Sequence, residues 1–443
     1  MKKTKLSKLL VIALVLLMCF AAVLAGCSKE EPEEEAPPPP PPSDPLTGAL
    51  VEDGFDESAL QRRIMAFVVE NTPDARPQWG MDDENYPPDI MLQGEVEGGI
   101  TRTLWFYTDY KKLPEVIGPT RSARPPFIKF SEFFDAVFIH WGQSYSKGEY
   151  IGANKIFEWH GVDHINQMTL DDKEGLYDRD GSRNVSSEHT GIIITKNLEA
   201  TLKNEGIRET PDTEAMSKLY FNEVATPPST DTAEKISVTY SKQADWETTD
   251  WEYNQEDEMY HTSSFDNDFK RDNLLILYDE TEYITKEDYH GSGGSVTYCD
   301  YLFTGGKAQL FSKGAVKEIL WKKSGGKLLL IDPDYDAAEV YAANNDEDEE
   351  NDVEGVIIAE VPLKGDDLEA AEKKKAEAEE AGEEYVPEMY AVQTINKGRT
   401  WIGWISSNNG GNVNITPGDY TITMPGEEAE ASETGEGAEA ANE

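Results

Sequence analysis

The first half of the chain alternates short apolar runs with segments of helical character. Four runs rich in branched and aromatic residues predict strands, and they are IMAFVV (64–69), ITRTLWFY (100–107), DAVFIHW (135–141) and GIIIT (191–195). Helices are predicted in RPPFIKFSEFF, where phenylalanines recur at helical spacing after two prolines, from about Lys147 to His160, and over NLEATLKN before Gly206. This alternation indicates a mixed α/β domain at residues 51–215.

From about residue 230 the pattern is mostly β. Short β-prone stretches separated by Gly, Asn and Asp turns are KISVTYS, TTDWEYN, NLLILYD, SVTYCDYLF, AQLFSKGAVKEILWKK, RTWIGWI and DYTITM. We therefore predict a mostly-β domain at residues 230–425, interrupted by an acidic insertion at 344–384 whose Ala, Glu and Lys content favours a surface helix. The overall fold class predicted from the two halves is α+β.

The N-terminus has the layout of a secretory signal peptide, predicted at residues 1–26. Lysines precede an apolar run that ends in LAGC, the pattern of a bacterial lipobox, so Cys27 is the predicted site of lipidation. A retained transmembrane anchor is the alternative, but the apolar run is short for a span. Residues 27–50 are acidic and then proline-rich, which predicts an extended linker.

Charge and cysteine content limit the classes of function. The formal net charge is −46, and much of the acidity lies in the insertion and in a tail at 426–443 that is predicted to be disordered. So acidic a chain repels nucleic acid, and we expect no nucleic-acid partner. With Cys27 committed to lipid and Cys19 in the signal peptide, Cys299 has no partner for a disulfide.

A group of arginines stands out in this acidic chain. In RSARPPF, Arg121, Ser122 and Arg124 precede the predicted helix, whose N-terminus favours an anion, and arginine matches carboxylate or phosphate with its planar fork. In EVEGGITR, two glycines allow a tight turn that presents Glu97 and Arg102 at its ends. Two other interpretations stay open: internal salt bridges with Glu95, Glu97 or Asp135, and a plain hairpin turn.

Histidines and further polar residues form a second candidate group. His140 follows a predicted strand, where ligand and catalytic residues often lie. With His164 and the stretch YDRDGSRNVSSEHT, which supplies Asp178, Arg179, Arg183, Glu188 and His189, it outlines a candidate polar cleft. No compact metal motif, phosphate-binding loop, nucleophile elbow or dinucleotide motif is present, so we expect no metal and no cofactor.

Several motifs, in this order, resemble the YerB-like family of bacterial lipoproteins. They are NTPDARPQWGM, EVEGGITR, GPTRSARPPF, DAVFIHWGQS and YDRDGSR, followed by NLLILYD, GGKAQLFSKGAVKEILWKK and NKGRTWIGWI. The resemblance implies a lipoprotein with an N-terminal domain of unknown function and a C-terminal companion domain. It also implies a set of recurring polar positions, namely Arg76, Glu97, Arg102, Arg121, Ser122, Arg124, His140, Arg179 and Arg183. After the last of these the family has a Pro-His-Asn run, whereas this chain has NVSSEHTG.

These observations lead to two functional hypotheses. The first is a binding or scaffold protein, anchored by lipid at Cys27 to the outer face of the cell membrane, that recognises an anionic envelope ligand or an envelope protein through Arg76, Arg102, Arg121, Ser122, Arg124, Arg179 and Arg183. The second is a hydrolase of phosphate esters or cell-wall glycan, with His140, Glu97 and His189 as candidate catalytic residues. A purely architectural role for the arginines is the third interpretation, and the residues do not identify the ligand.

Overall fold

The computed structural model describes residues 41–287, 293–345, 353, 355–382 and 385–424. The predicted signal peptide, Cys27, the linker up to residue 40 and the tail at 426–443 lie outside these residues, as do 346–352, 354, 383 and 384 of the acidic insertion. Within the described ranges, no helix combines the length and the apolar character that a membrane span requires.

Strands dominate the described residues, and they contain five α-helices. The helices are α1 Pro125–Ser131, α2 Ala153–His160, α3 Leu198–Asn204, α4 Ala337–Ala343 and α5 Asp366–Ala381. The strands of the first half are β1 Met65–Glu70, β2 Ile90–Glu95, β3 Thr101–Tyr107, β4 Val116–Ile117, β5 Val137–His140, β6 His164–Asn166, β7 Tyr177–Arg179 and β8 Gly191–Ile194. Those of the second half are β9 Lys235–Thr239, β10 Thr249–Asn254, β11 Met259–Thr262, β12 Phe269–Arg271, β13 Asn273–Asp279, β14 Thr281–Lys286, β15 Val296–Tyr301, β16 Gly306–Ser312, β17 Ala315–Ser324, β18 Lys327–Ile331, β19 Ile358–Glu360, β20 Met389–Ala391, β21 Thr400–Ser406 and β22 Asn412–Thr416.

One large sheet takes strands from both halves of the chain. Its ten strands lie in the order β18-β17-β16-β13-β21-β2-β3-β1-β5-β6. Strand β21 pairs in parallel with β2 on one side, where Ile90 lies opposite Thr400, and with β13 on the other. The sheet therefore continues across the predicted boundary between residues 215 and 230. The remaining described strands form a five-stranded sheet, β12-β11-β10-β9-β22, and three small sheets.

Two hydrophobic cores cover the two faces of the large sheet. Alternate residues of β21 enter them: Trp404 belongs to the core that holds Phe130, and Trp401 belongs to the core that holds Trp251. The ring centroids of Trp404 and Phe130 are 5.4 Å apart, and those of Trp401 and Trp251 are 5.2 Å apart. A strand buried on both faces explains why RTWIGWI reads as a nearly continuous apolar run.

The predicted fold class, α+β, is confirmed, and most predicted elements are present. The helix predicted from about Lys147 begins only at Ala153, because Gly148 has a positive φ and the backbone N–H of Ala153 donates to the hydroxyl of Ser144 at 3.0 Å. The DYTITM stretch forms no strand, and the strand at the end of the described chain is β22. Strand β2 was not predicted, since QGE makes its sequence look polar.

The shared sheet predicts that the first half does not fold by itself. A fragment of residues 42–215 would expose the edge of β2 and lose Trp404 from its core. We expect this fragment to lack a cooperative thermal transition by circular dichroism, and co-expression with residues 216–424 to restore one. Cooperative unfolding of the isolated fragment near the melting temperature of the whole chain would contradict this.

Candidate functional site

The EVEGGITR stretch is a hairpin that joins β2 to β3. Gly98 and Gly99 both have positive φ, and a Cβ on Gly99 would come within 1.9 Å of the carbonyl oxygen of Gln243. The hairpin interpretation is therefore confirmed, and it places Glu97 at the turn.

Glu97 holds two arginines from different segments. Arg124 donates from Nε to Oε2 of Glu97 at 2.7 Å and from Nη2 to Oε1. Nη2 of Arg102 also lies 3.2 Å from Oε1 of Glu97. Burial opposes ionisation of Glu97, but the charges of Arg124 and Arg102 outweigh it and lower its pKa to about 2. Of the three internal partners predicted for the arginines, Glu97 is the one used. Glu95 accepts a hydrogen bond from Tyr283 instead, and Asp135 pairs with Arg63 and Arg208.

The N-terminus of α1 offers less to an anion than the sequence indicates. Pro125 and Pro126 occupy its first positions and have no N–H to donate. The attraction for an anion near RSAR therefore comes from side chains.

A cleft with an excess of positive charge lies beside the Glu97 ion pair. We call it the basic cleft; it has a volume of about 320 Å³, and the charged side chains that line it are Arg121, Arg124, Arg179, Lys286 and Glu188. Trp141, the residue directly after β5, also lines the basic cleft. Four cations thus face one carboxylate among the described lining residues, in a chain whose net charge is −46.

The cations of the basic cleft differ in how far they are neutralised. Arg121 contacts Glu70 and Glu188, each at 3.2 Å. Arg179 lies over the ring of Trp141, with its guanidinium carbon 4.3 Å from the centroid, and it forms no ion pair with the described residues. Lys286 donates to the carbonyl oxygen of Tyr145 at 2.9 Å, and its pKa is lowered by burial and by the nearby positive charges of Lys147 and Arg124.

Two buried polar atoms of this region, the hydroxyl of Thr120 and Oε2 of Glu70, have no hydrogen-bond partner in the described structure. The hydroxyl of Thr120, which lines the basic cleft, and Ser122 follow β4; the Thr120 hydroxyl is buried without a partner in the described structure. Ser122 donates its hydroxyl to the carbonyl oxygen of Trp141 at 3.1 Å, so its side chain is already engaged. Oε2 of Glu70 is likewise buried and unpartnered.

Glu70 is a candidate that the sequence did not reveal. It ends β1, is 2% exposed, and its Oε1 lies 3.0 Å from Nδ1 of His189, which is within ion-pair distance but lacks hydrogen-bond geometry, so Nδ1 has no hydrogen-bond partner in the described structure. Nε2 of His189 faces Asp74 and Glu188 at 3.9 and 3.8 Å. A carboxylate that orients a histidine is a common acid–base arrangement, and the only signal in the sequence is a charge at the end of an apolar strand.

His140 occupies a different environment. It is fully buried, its ring stacks on Phe157, and its Nε2 lies 2.9 Å from Nδ1 of His164. Burial and the neighbouring histidine lower its pKa to about 3, so the ring is neutral at physiological pH. His140 is not among the residues that line the basic cleft.

Arg76 and Arg183 lie outside the basic cleft and hold the loop after β1. Arg76 pairs with Glu247 and donates to the carbonyl oxygen of Asn71 at 2.9 Å. Arg183 donates to the carbonyl oxygen of Ala75 at 2.8 Å and stacks on Trp79. In the described residues, no three His, Cys, Asp or Glu side chains are grouped so that they could hold a metal ion.

The Glu97 ion pair predicts a stability effect that depends on pH. Glu97→Gln leaves two largely buried guanidinium groups without their carboxylate, which we expect to cost about 3 kcal/mol at pH 7 in urea unfolding. Because the folded pKa lies below the unfolded value of ~4.3, the carboxylate stabilises above that value and loses its effect as pH falls towards 2. The deficit of the variant should therefore shrink between pH 5 and pH 2.5.

The matched control is Glu318→Gln, which breaks the exposed pair with Lys307. We expect a change of less than about 0.5 kcal/mol at either pH. An equal deficit for both variants at pH 7 would show that the Glu97 pair is not a special stabilising contact.

Comparison with known proteins agrees with this architecture. Residues 46–208 match the family described as "Protein of unknown function (DUF3048) N-terminal domain". The chain is 28% identical over 295 residues to the putative lipoprotein YerB of Bacillus subtilis (strain 168), an alignment that covers 65% of this chain and 80% of that protein. The crystal structure of YerB from Bacillus subtilis matches it with a TM-score of 0.57 at 21% identity, covering 84% of this chain and 99% of that chain.

These similarities extend over both halves of the chain and include the shared fold. They connect the chain to a relative named as a lipoprotein. The resemblance seen in the sequence is thus confirmed: residues 46–208 match the DUF3048 N-terminal domain family, and the chain is similar in sequence and fold to YerB.

Proposed function

We propose that this protein is a lipid-anchored extracytoplasmic binding protein that recognises an anionic component of the cell envelope in the basic cleft. The observation that carries the proposal is the charge of the lining: four cations and one carboxylate among the described residues. Anchoring through Cys27 at the outer face of the membrane is supported by the lipobox and by the lipoprotein name of the relative.

Two of the four cations of the basic cleft form no ion pair within the described structure, so their charge can neutralise an anionic ligand. Arg102 and Arg124 are committed to Glu97, whereas Arg179 and Lys286 donate only to backbone carbonyls and a hydroxyl within the described structure. Burial next to other positive charges makes the charged form of Lys286 less favourable, and a bound anion would relieve this repulsion. The hydroxyl of Thr120 supplies an additional donor at the wall of the cleft.

The test is a pair of double variants of the full chain in detergent. Wild type should show a higher melting temperature with glycerol phosphate oligomers, muropeptides or inorganic phosphate, because a ligand that prefers the folded state stabilises it. Arg179→Gln with Lys286→Gln should reduce the apparent affinity at least tenfold without lowering the melting temperature of the free protein. The matched control, Lys235→Gln with Lys322→Gln, removes two exposed lysines elsewhere and should behave as wild type.

A null result would be clear. No shift with any probe, or an equal shift in the Arg179 and Lys286 double variant, would reject the basic cleft as an anion site. In that case a search for envelope protein partners would replace the search for small anions.

The Glu70 and His189 pair favours a second candidate, hydrolysis of phosphate esters or glycan. Glu70 would orient Nδ1 of His189, and Nε2 would move a proton to or from a water or leaving group, with Arg121 near the developing negative charge. This differs from the constellation expected from the sequence. Glu97 is held as a carboxylate by two arginines, and His140 is sealed in the core.

This candidate predicts a specific pattern among variants. If the chain releases p-nitrophenol from p-nitrophenyl phosphate, Glu70→Gln and His189→Gln should each reduce kcat at least a hundredfold. His160→Gln, which alters the exposed pair with Glu132, should retain wild-type turnover. Absence of turnover in wild type would eliminate the phosphate-ester hydrolase, and activity that survives in His189→Gln would eliminate the Glu70 and His189 pair as its acid–base group.

A further inference from the structure

A second cleft lies in a separate part of the described structure and has a different chemical character. It has a volume of about 370 Å³ and shares no lining residue with the basic cleft. We call it the aspartate cleft; the residues that matter for its chemistry are Asp44, Asp89, Tyr107, Lys112 and Arg399, and Asp53, Asp56 and Asp109 also line it. Its walls are formed by residues 44–56, by the loop before β2, by the end of β3 with the residues that follow it, and by the residues just before β21.

Two carboxylates of the aspartate cleft are held close together by one residue. Oδ1 of Asp44 accepts a hydrogen bond from the hydroxyl of Thr108 at 2.8 Å, and Oδ2 of Asp89 accepts one from the backbone N–H of Thr108 at 2.8 Å. Asp44 also accepts from the backbone N–H groups of Leu46 and Thr47. These contacts fix the position of both carboxyl groups before any ligand arrives.

The pair has no cationic partner at contact distance within the described residues. Neither Asp44 nor Asp89 forms a salt bridge there, although Arg399 and Arg271 exert a weaker, longer-range attraction on Asp89. Burial raises the pKa of Asp89 to about 7, and the neighbouring charge of Asp44 adds to the rise. Such a pair is expensive to keep ionised, and a cation with several N–H donors placed between the two carboxyl groups would relieve the cost.

The same cleft contains donors that lack acceptors. Tyr107 is 2% exposed, and its hydroxyl is buried without a hydrogen-bond partner in the described structure. Nε of Arg399 is also buried and unpartnered, and the guanidinium forms no ion pair with a described carboxylate. Buried donors of this kind are normally satisfied, so their presence beside a cleft points to an acceptor supplied from outside the fold. A planar guanidinium is best matched by a carboxylate.

We propose that the aspartate cleft binds a zwitterionic ligand, a short peptide or amino acid, whose ammonium group lies against Asp44 and Asp89 and whose carboxylate lies against Arg399. A divalent cation fits this site less well than the five lining aspartates suggest. Asp109 pairs with Arg62, Asp53 and Asp56 accept from backbone N–H groups, and Arg399 and Lys112 share the lining, so only Asp44 and Asp89 are held together, by Thr108. A plain anion would meet both aspartates. A ligand that carries both charges satisfies the carboxylate pair and the unpartnered donors at the same time.

The experiment is calorimetric titration of the full chain in detergent with alanine, alanyl-alanine and trialanine. At least one of the three should bind, and the best one shows the spacing between the two charges. Its N-acetylated form and its C-terminal amide should each bind at least tenfold more weakly, because each loses one of the two charges. Binding that is unaffected by either cap would overturn the proposal, as would binding of CaCl2 with none of the peptides.

Four variants separate this site from other surfaces. Asp89→Asn and Arg399→Gln should each weaken binding at least tenfold, and Tyr107→Phe should weaken it while leaving the melting temperature unchanged, since the hydroxyl has no partner to lose. Asp171→Asn is the matched control, because this exposed aspartate pairs with Lys173 and does not line the cleft. Equal affinity in wild type and Asp89→Asn would reject the site.

The outcome is independent of the basic cleft. The Arg179 and Lys286 double variant should bind the peptide as wild type does, because neither residue lines the aspartate cleft. Loss of peptide binding in that variant would contradict the assignment to the aspartate cleft.

Discussion

The position of strand β21 in the middle of the large sheet is the constraint on which the rest of the structure depends. It comes almost at the end of the described chain, yet it pairs in parallel with β2 from the first half and β13 from the second. Without it the two groups of strands would share no backbone hydrogen bonds within the large sheet, and both hydrophobic cores would lose a tryptophan. The chain therefore has to close contacts of very long sequence separation before either face of the sheet is complete.

The charged groups near the sheet fall into two classes: some pair with each other and fix loops, and others have no partner of opposite charge among the described residues. Glu97 sits at a turn that only glycine allows and neutralises Arg102 and Arg124, which fixes the RSAR segment against the hairpin. Such a pair costs desolvation energy, and its benefit is in specifying which loop meets which. Once it is formed, Arg179 and Lys286 are the cations of the basic cleft that pair with no carboxylate among the described residues, and they give the cleft its excess charge.

Local structure was readable from the sequence because its signals are local. Phenylalanines at helical spacing after two prolines form α1, and apolar runs such as IMAFVV and GIIIT form β1 and β8. The order of strands in the sheet was not readable, since no local pattern records that RTWIGWI inserts between β13 and β2. The sequence left two interpretations open for the arginines, a ligand site or internal ion pairs. Glu97 resolves it towards internal pairs for Arg102 and Arg124.

The residues that the sequence missed share a physical cause. Glu70, Asp44 and Asp89 are single charges beside apolar segments, and in a chain of net charge −46 a lone carboxylate carries no information. Their chemistry arises only when folding brings a histidine to Glu70 and a common hydrogen-bond donor, Thr108, to both aspartates. A buried polar atom without a partner raises the free energy of the folded state, so such atoms identify candidate ligand sites in the structure, whereas composition does not. Some of the unpartnered atoms of the described residues line the two clefts: the Thr120 hydroxyl is at the basic cleft, and the Tyr107 hydroxyl and Nε of Arg399 are at the aspartate cleft. The two proposed sites would combine an acidic surface with selective recognition of an anion and of a zwitterion.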